Sequence, residues 1–195
     1  TYYRGMDILD NTQVLTQRDP QGALSIATNQ CDYFSVTFDT TFTPTGPVDN
    51  IVWAGMGGSA LPMVVVQSWP QLSIPFEVVR NYAIPPYVNE KTLFIASSYS
   101  GNTEETLEAL AHAEAKGAQI VVVAAGGKLA ALAAEKGYPH YAIPGGIQPR
   151  MATFYFVSAF LAIIEPLHVT VQDVNELHAV GEWLREELKG FTAEV

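Results

Sequence analysis

Cysteine is almost missing from this sequence. The single thiol, Cys31, has no partner for an intrachain disulfide, and nothing near the amino end resembles a secretion signal. Disulfide-stabilised secreted scaffolds are therefore a poor match. We expect a protein of the reducing cytoplasm.

Basic residues are also scarce. Ten lysines and arginines stand against twenty aspartates and glutamates, and the formal net charge is −10. Such a charge disfavours sequence-independent binding to nucleic acid or to an anionic membrane surface. The longest apolar run, residues 151–164 between Arg150 and Glu165, is shorter than the roughly 20 residues of a membrane span. The apolar run therefore predicts a buried helix. Because the net charge is negative, a phosphate group would have to be bound by a specific local site.

Apolar residues make up 48% of the chain, enough for a sizeable core. From residue 50 to residue 168, short apolar runs alternate with turns and helical patterns, as in parallel α/β sheets. We predict a three-layer α/β fold with a five-stranded parallel sheet in the flavodoxin-like order and helices on both faces. The predicted strands are 51–54, 76–80, 93–97, 120–125 and 140–143, and the predicted helices are 59–69, 102–116, 128–136 and 151–167.

Three regions follow from this pattern. Residues 1–47 read as a helical lead-in and linker, residues 48–168 as the α/β domain, and residues 169–195 as an amphipathic helix. The apolar stripe of that last helix favours a partner surface.

Two turns rich in glycine and hydroxyl groups follow the first and third predicted strands. They are GMGGS (residues 55–59) and SYSGNT (residues 98–103). Open α/β sheets bind ligands at the carboxyl ends of their strands, so the two turns should converge. Glycines allow close approach of the backbone, and hydroxyls with helix amino-terminal amides can satisfy phosphate oxygens without lysine. The two turns together predict an anion-binding site. Ser59 would begin the helix that follows the first turn, and the free amides of that helix would face the anion.

Two other interpretations remain open at this stage. Each turn alone has an ordinary structural explanation as tight packing or a helix cap. In addition, GMGGSA (residues 55–60) matches the G-x-G-x-x-A dinucleotide fingerprint. That fingerprint expects an acidic residue at the end of the second strand, where Arg80 and Asn81 stand instead, so binding of NAD is less favoured.

The two turns in this order resemble the sugar isomerase (SIS) domain. A segment GGIQPR (residues 145–150), which leads into the long apolar helix, makes the sequence more similar to the amino-terminal half of the bifunctional phosphoglucose/phosphomannose isomerases. The resemblance covers roughly residues 50–168.

The resemblance implies a role for seven residues. Ser98, Ser100 and Thr103 would bind the substrate phosphate, Gly57, Gly58 and Ser59 would lie along the sugar, and Arg150 would stabilise an enediolate-like intermediate. It further implies interconversion of glucose 6-phosphate or mannose 6-phosphate with fructose 6-phosphate, no metal or other cofactor, and a homodimer. An arginine is well suited to a developing oxyanion.

The same resemblance places the glutamate base and the ring-opening histidine in a second SIS half. We therefore expect this chain alone to lack the proton-transfer groups, with residues 169–195 leading toward that half. The carboxylates nearest the second turn, Glu104 and Glu105, fit a solvated position in the first helical turn better. A non-catalytic sugar-phosphate-binding module is the alternative.

Overall fold

The computed structural model describes residues 11–170 and 174–189, and it contains one parallel sheet. The strand order is β2-β1-β3-β4-β5, with every neighbouring pair parallel, which confirms the predicted flavodoxin-like order. The strands are β1 (Asn50–Ala54), β2 (Phe76–Val79), β3 (Thr92–Ser98), β4 (Gln119–Ala124) and β5 (His140–Ala142).

Helices flank this sheet. They are α1 (Thr12–Arg18), α2 (Ala23–Thr28), α3 (Pro62–Ser68), α4 (Glu104–Ala115), α5 (Gly127–Lys136), α6 (Thr153–Ile164) and α7 (Val174–Leu188). Short 3₁₀ segments cover Asn29–Ser35, Gly57–Ser59, Pro149–Ala152 and Glu165–Leu167.

Side chains that alternate along the strands divide the core between the two faces of the sheet. Ile51 and Trp53 of β1 lie in the cluster that contains α3 and α6. Val52 and Ala54 lie in the cluster that contains α4 and α5. Because successive side chains of a strand point to opposite faces, this division confirms the three-layer arrangement.

Helix α6 with its flanking 3₁₀ turns, Pro149–Leu167, has the length and composition of a possible membrane span. In the fold it is a core helix: Phe156 and Phe160 are fully buried, and both rings contact Trp53 of the central strand β1. The prediction of a buried helix is confirmed.

The predicted helix from Ser59 to Trp69 is wrong in its first turn. Residues Gly57–Ser59 form a 3₁₀ turn, and α3 begins only at Pro62. In a helix that began at Ser59, Pro62 would lie past the first positions, where the backbone N–H becomes a hydrogen-bond donor and proline has none. At the first position of a helix no such donor is needed, and proline is favoured there. Pro62 therefore sets the start of α3.

Parts of the predicted lead-in region contact the domain, while its residues 1–10 lie outside the described residues. Within the stretch predicted as a linker, Phe42 is buried and its N–H donates to the Tyr141 hydroxyl at 2.8 Å. Helix α7 packs on the 3₁₀ segment Asn29–Ser35, where Arg185 forms an ion pair with Asp32. The apolar face of α7 is thus partly covered from within the chain; residues 171–173 and 190–195 of the predicted tail lie outside the described residues.

Candidate phosphate-binding site

The two turns lie side by side at one edge of the sheet. Strands β1 and β3 are neighbours, and the chain leaves β1 toward β2 on one side and β3 toward β4 on the other. This reversal is the topological switch point, where open α/β sheets form a ligand-binding crevice. The structure therefore brings together the turns at residues 55–59 and 98–103.

Three hydroxyl groups of the second turn form a cluster. The Oγ of Ser98 lies 2.7 Å from Oγ1 of Thr103 and 3.4 Å from Oγ of Ser100. Ser98 is buried, Thr103 is half-buried and Ser100 is exposed, so the cluster runs from the interior to the surface. The sequence predicted these three residues together, and the fold does bring them together.

Thr103 occupies the N-cap position of α4, but its side chain forms no capping hydrogen bond. Its hydroxyl is directed to Ser98 instead. The first amides of an α-helix have no acceptor within the helix, so those of α4 stay available to an anion beside the hydroxyl cluster. A cap alone does not explain the presence of a hydroxyl at this position.

Ser59 connects the first turn to the second. It is only 5% exposed, and its Oγ accepts a hydrogen bond from the backbone N–H of Tyr99 at 2.8 Å. Its carbonyl accepts from Nε1 of Trp53 at 3.0 Å and from Oγ of Ser97 at 3.4 Å. The bond from Tyr99 uses an acceptor site of this hydroxyl and leaves its O–H able to donate.

The second turn rests closely on the Gly126-Gly127 turn that follows β4. Gly101 has φ +68°, and a Cβ built on it would lie within 1.8 Å of the Gly126 carbonyl oxygen. Oδ1 of Asn102 accepts from the N–H of Lys128 at 3.1 Å. Only a glycine permits this contact, and it fixes the backbone around the hydroxyl cluster.

The backbone of Arg150 packs directly against Gly58 of the first turn. A Cβ added to Gly58 would come within 2.8 Å of the Arg150 nitrogen and 2.7 Å of the Pro149 carbonyl carbon. The Arg150 side chain is exposed, and it takes part in none of the ion pairs found within residues 11–170 and 174–189. Its guanidinium is therefore free to meet an anionic ligand.

Two features of this site were missed from the sequence. One is the Gly126-Gly127 turn, which two adjacent glycines after a predicted strand could have indicated. The other is Tyr99, whose hydroxyl donates to the Pro144 carbonyl at 3.2 Å and accepts from the Ile147 N–H at 3.0 Å. No local pattern reports a contact across 45 residues.

The dinucleotide interpretation loses its structural basis. The fingerprint needs a helix whose amino end begins within the glycine turn, yet α3 starts at Pro62 and has only seven residues. Strand β2 ends at Val79 and is followed by Arg80, not by an acidic residue.

Candidate acid–base groups on α4 are exposed or half-buried. His112 is exposed, with Nε2 3.4 Å from Oε1 of Glu108, and in the first turn of the helix Glu104 is exposed and Glu105 half-buried. Within the described ranges there is no group of three or more histidine, cysteine, aspartate or glutamate side chains able to hold a metal ion.

No family model matches the chain. Its sequence is 43% identical over 150 residues to a bifunctional phosphoglucose/phosphomannose isomerase of Caldicellulosiruptor bescii, a match that covers 73% of this chain and 43% of the relative. It is 36% identical over 117 residues to a D-glucosamine-6-phosphate 4-epimerase of Sulfolobus acidocaldarius, covering 60% and 37%. The chain thus spans less than half the length of these curated relatives.

The fold is similar to that of a tagatose-6-phosphate ketose/aldose isomerase from Escherichia coli. The TM-score is 0.53 at 18% identity, over 92% of this chain and 50% of that one. The chain therefore has the fold of a sugar isomerase (SIS) domain, and its sequence is homologous to part of the bifunctional phosphoglucose/phosphomannose isomerases.

Proposed function

We propose that this chain binds the phosphate of a hexose 6-phosphate and is part of an aldose–ketose isomerase. The observation that carries the proposal is the hydroxyl cluster of Ser98, Ser100 and Thr103 beside the amino end of α4. The relatives named above are described as acting on phosphorylated hexoses, which agrees with such a site.

The hydroxyls and helix amides suit a phosphate because each can donate a hydrogen bond to it. Bonds from neutral donors to a charged group are stronger than those between neutral groups, so a few of them suffice without a lysine. Gly57 and Gly58 present backbone with no side chain in the way and line the sugar. Ser59 would lie along the sugar with them, and its hydroxyl also accepts from the Tyr99 N–H, which holds the two turns together.

Arg150 is the one residue that we propose for the chemistry. In the isomerisation, a proton leaves C2 of the open-chain aldose and is returned at C1, by way of a cis-enediolate. An arginine beside the reacting carbons stabilises the negative charge of that intermediate at its oxygen. Arg150 is exposed and forms no ion pair with residues 11–170 or 174–189, so its guanidinium is available for this role.

The groups that move the proton and open the ring are proposed to lie outside this chain, in a second SIS half. The specific exchange of glucose 6-phosphate or mannose 6-phosphate with fructose 6-phosphate, a homodimer and a cytoplasmic role in carbohydrate metabolism belong to the same proposal. The relatives are more than twice as long as the matched segment, which leaves room for such a half.

A coupled isomerase assay on residues 1–195 and on the full-length product of the parent gene tests this division. We expect turnover from the full-length protein only. Full activity from residues 1–195 would show that the proton-transfer groups are present here.

Thermal shift separates ligand classes on the chain itself. 6-Phosphogluconate and 5-phosphoarabinonate should raise the midpoint of unfolding, because a ligand that binds only the folded state stabilises it. Stabilisation by NAD or NADP alone would replace the proposal with dinucleotide binding. Binding of sugar phosphates by a full-length protein without turnover would favour a non-catalytic module.

A further inference from the structure

Tyr99 stands between two proposed phosphate ligands, Ser98 and Ser100, yet its own side chain points elsewhere. Its hydroxyl donates to the carbonyl of Pro144 at 3.2 Å and accepts from the N–H of Ile147 at 3.0 Å. The Tyr99 hydroxyl thus bridges Pro144 and Ile147, two residues of the loop that leads to Arg150.

One end of that loop is anchored by Ile147, which is half-buried against the hydrophobic core. Residues 144–146 are exposed, Gly146 has φ +90°, and an added Cβ at Gly146 would meet nothing within 4 Å. Loops with exposed backbone and few contacts are the least stable parts of a fold. The two hydrogen bonds to the Tyr99 hydroxyl therefore hold the beginning of the loop, while Gly58 contacts its end at Pro149 and Arg150.

The backbone of Tyr99 is fixed on both sides. Its N–H donates to Oγ of Ser59, and its carbonyl accepts from the N–H of Ala125 at 3.1 Å. The phenol consequently extends from a rigid point of the phosphate turn.

We infer that Tyr99 is a positioning residue, which sets Arg150 at a defined place relative to the bound phosphate by holding the loop at residues 144–147. This inference rests on the proposed function, because it needs the phosphate at the second turn and the sugar beside Arg150. It adds that one side chain, that of Tyr99, fixes the position of Arg150 relative to the hydroxyl cluster that binds the phosphate.

A double-mutant cycle on the chain tests the inference. The variants are Tyr99→Phe, Arg150→Ala and their combination, and the probes for calorimetric titration are 5-phosphoarabinonate and inorganic phosphate. Tyr99→Phe keeps the ring and removes only the hydroxyl. Tyr138→Phe is the matched control, since its hydroxyl bonds Glu114 on the other face of the sheet.

We expect Tyr99→Phe to weaken 5-phosphoarabinonate about tenfold and inorganic phosphate less than about twofold. In the Arg150→Ala background the same change should have an effect below about twofold, because residues that act through one another are not additive. Equal losses for both probes, additive losses, or no loss in Tyr99→Phe would overturn the inference.

The proposed function fails separately. If Ser98→Ala leaves the binding of inorganic phosphate unchanged, the phosphate does not bind at the hydroxyl cluster. Both the proposed function and the inference are then overturned. If Ser98→Ala and Arg150→Ala weaken 5-phosphoarabinonate while Tyr99→Phe does not, the function stands and only the positioning role is overturned.

Discussion

The Oγ of Ser59 accepts a hydrogen bond of 2.8 Å from the backbone N–H of Tyr99, forty residues further along the chain. It joins the turn after β1 to the turn after β3. Both partners lie at the switch point of the sheet, so this bond holds the turn at residues 55–59 close to the turn at residues 98–103.

Replacing Ser59 with alanine should loosen the second turn. The Tyr99 N–H would lose its acceptor, and an unsatisfied amide costs about 1–3 kcal/mol. We expect a lower free energy of unfolding and faster hydrogen exchange at the Tyr99 amide. Unchanged exchange at that amide would show that the bond does not hold the turn.

Phosphate affinity should depend on the hydroxyl cluster. We expect Ser98→Ala combined with Ser100→Ala to weaken 6-phosphogluconate by at least about tenfold, since hydrogen bonds to charged groups contribute about 1.5–3 kcal/mol each. Calorimetric titration measures it. The control is Ser68→Ala, whose hydroxyl bonds only carbonyls of its own helix; equal affinities for both variants would place the phosphate elsewhere.

Thr103→Val separates ligand binding from helix capping. The Thr103 side chain does not cap α4 but bonds Ser98, so its replacement should lower the free energy of unfolding by no more than about 1 kcal/mol, the contribution of one hydrogen bond. Phosphate affinity should fall about tenfold, because the ligand loses a donor. Thermal denaturation and titration of the same sample give both values. A large loss of stability with unchanged affinity would return Thr103 to a structural role.

Gly101 should tolerate no side chain. Its φ of +68° and the 1.8 Å approach of the Gly126 oxygen to an added Cβ predict that Gly101→Ala costs about 3 kcal/mol or more. Denaturant unfolding measures the loss. Gly46→Ala serves as the control, since nothing lies within 4 Å of its added Cβ and its φ is ordinary. Similar stabilities of the two variants would contradict the close packing of the second turn.

A pH-dependent contribution comes from Glu114, away from the site. A hydrogen bond from Lys136, and then one from Tyr138, lower the pKa of this carboxyl group. A group whose folded pKa is lowered stabilises the fold above its unfolded pKa, about 4.3 for glutamate, and loses that effect as the pH falls through the folded value.

Glu114→Gln should therefore lower the midpoint of unfolding at pH 7, and the difference from the parent chain should shrink as the pH falls below about 4. Thermal melts from pH 7 to pH 3 measure it. Glu187→Gln is the control, since Glu187 forms no ion pair among the described residues. A difference that stays constant with pH would refute the assignment.

Much of the architecture could be predicted because the strands are apolar, and the central strands β1, β3 and β4 are buried on both faces. Their continuous apolar runs and the intervening glycines locate β1 to β5 within a residue or two. The start of α3 was misplaced because the apolar pattern outweighed Pro62. The two glycine- and hydroxyl-rich turns at residues 55–59 and 98–103 could also be recognised, since the residues of each are adjacent in sequence.

Contacts between distant segments could not be predicted. The bond between the Ser59 hydroxyl and the Tyr99 N–H joins residues 40 positions apart, so no local pattern indicates it. The bridge from Tyr99 to Pro144 and Ile147, and the packing of Gly58 on Arg150, depend on tertiary structure alone. Local patterns identify groups able to bind phosphate, whereas the fold decides which of them are already occupied.

A crystal structure of the chain with fructose 6-phosphate would locate the bound phosphate. We expect it within hydrogen-bonding distance of the hydroxyls of Ser98, Ser100 and Thr103, with the sugar running toward Gly58 and Arg150. A phosphate bound away from the turn at residues 98–103 would contradict this expectation.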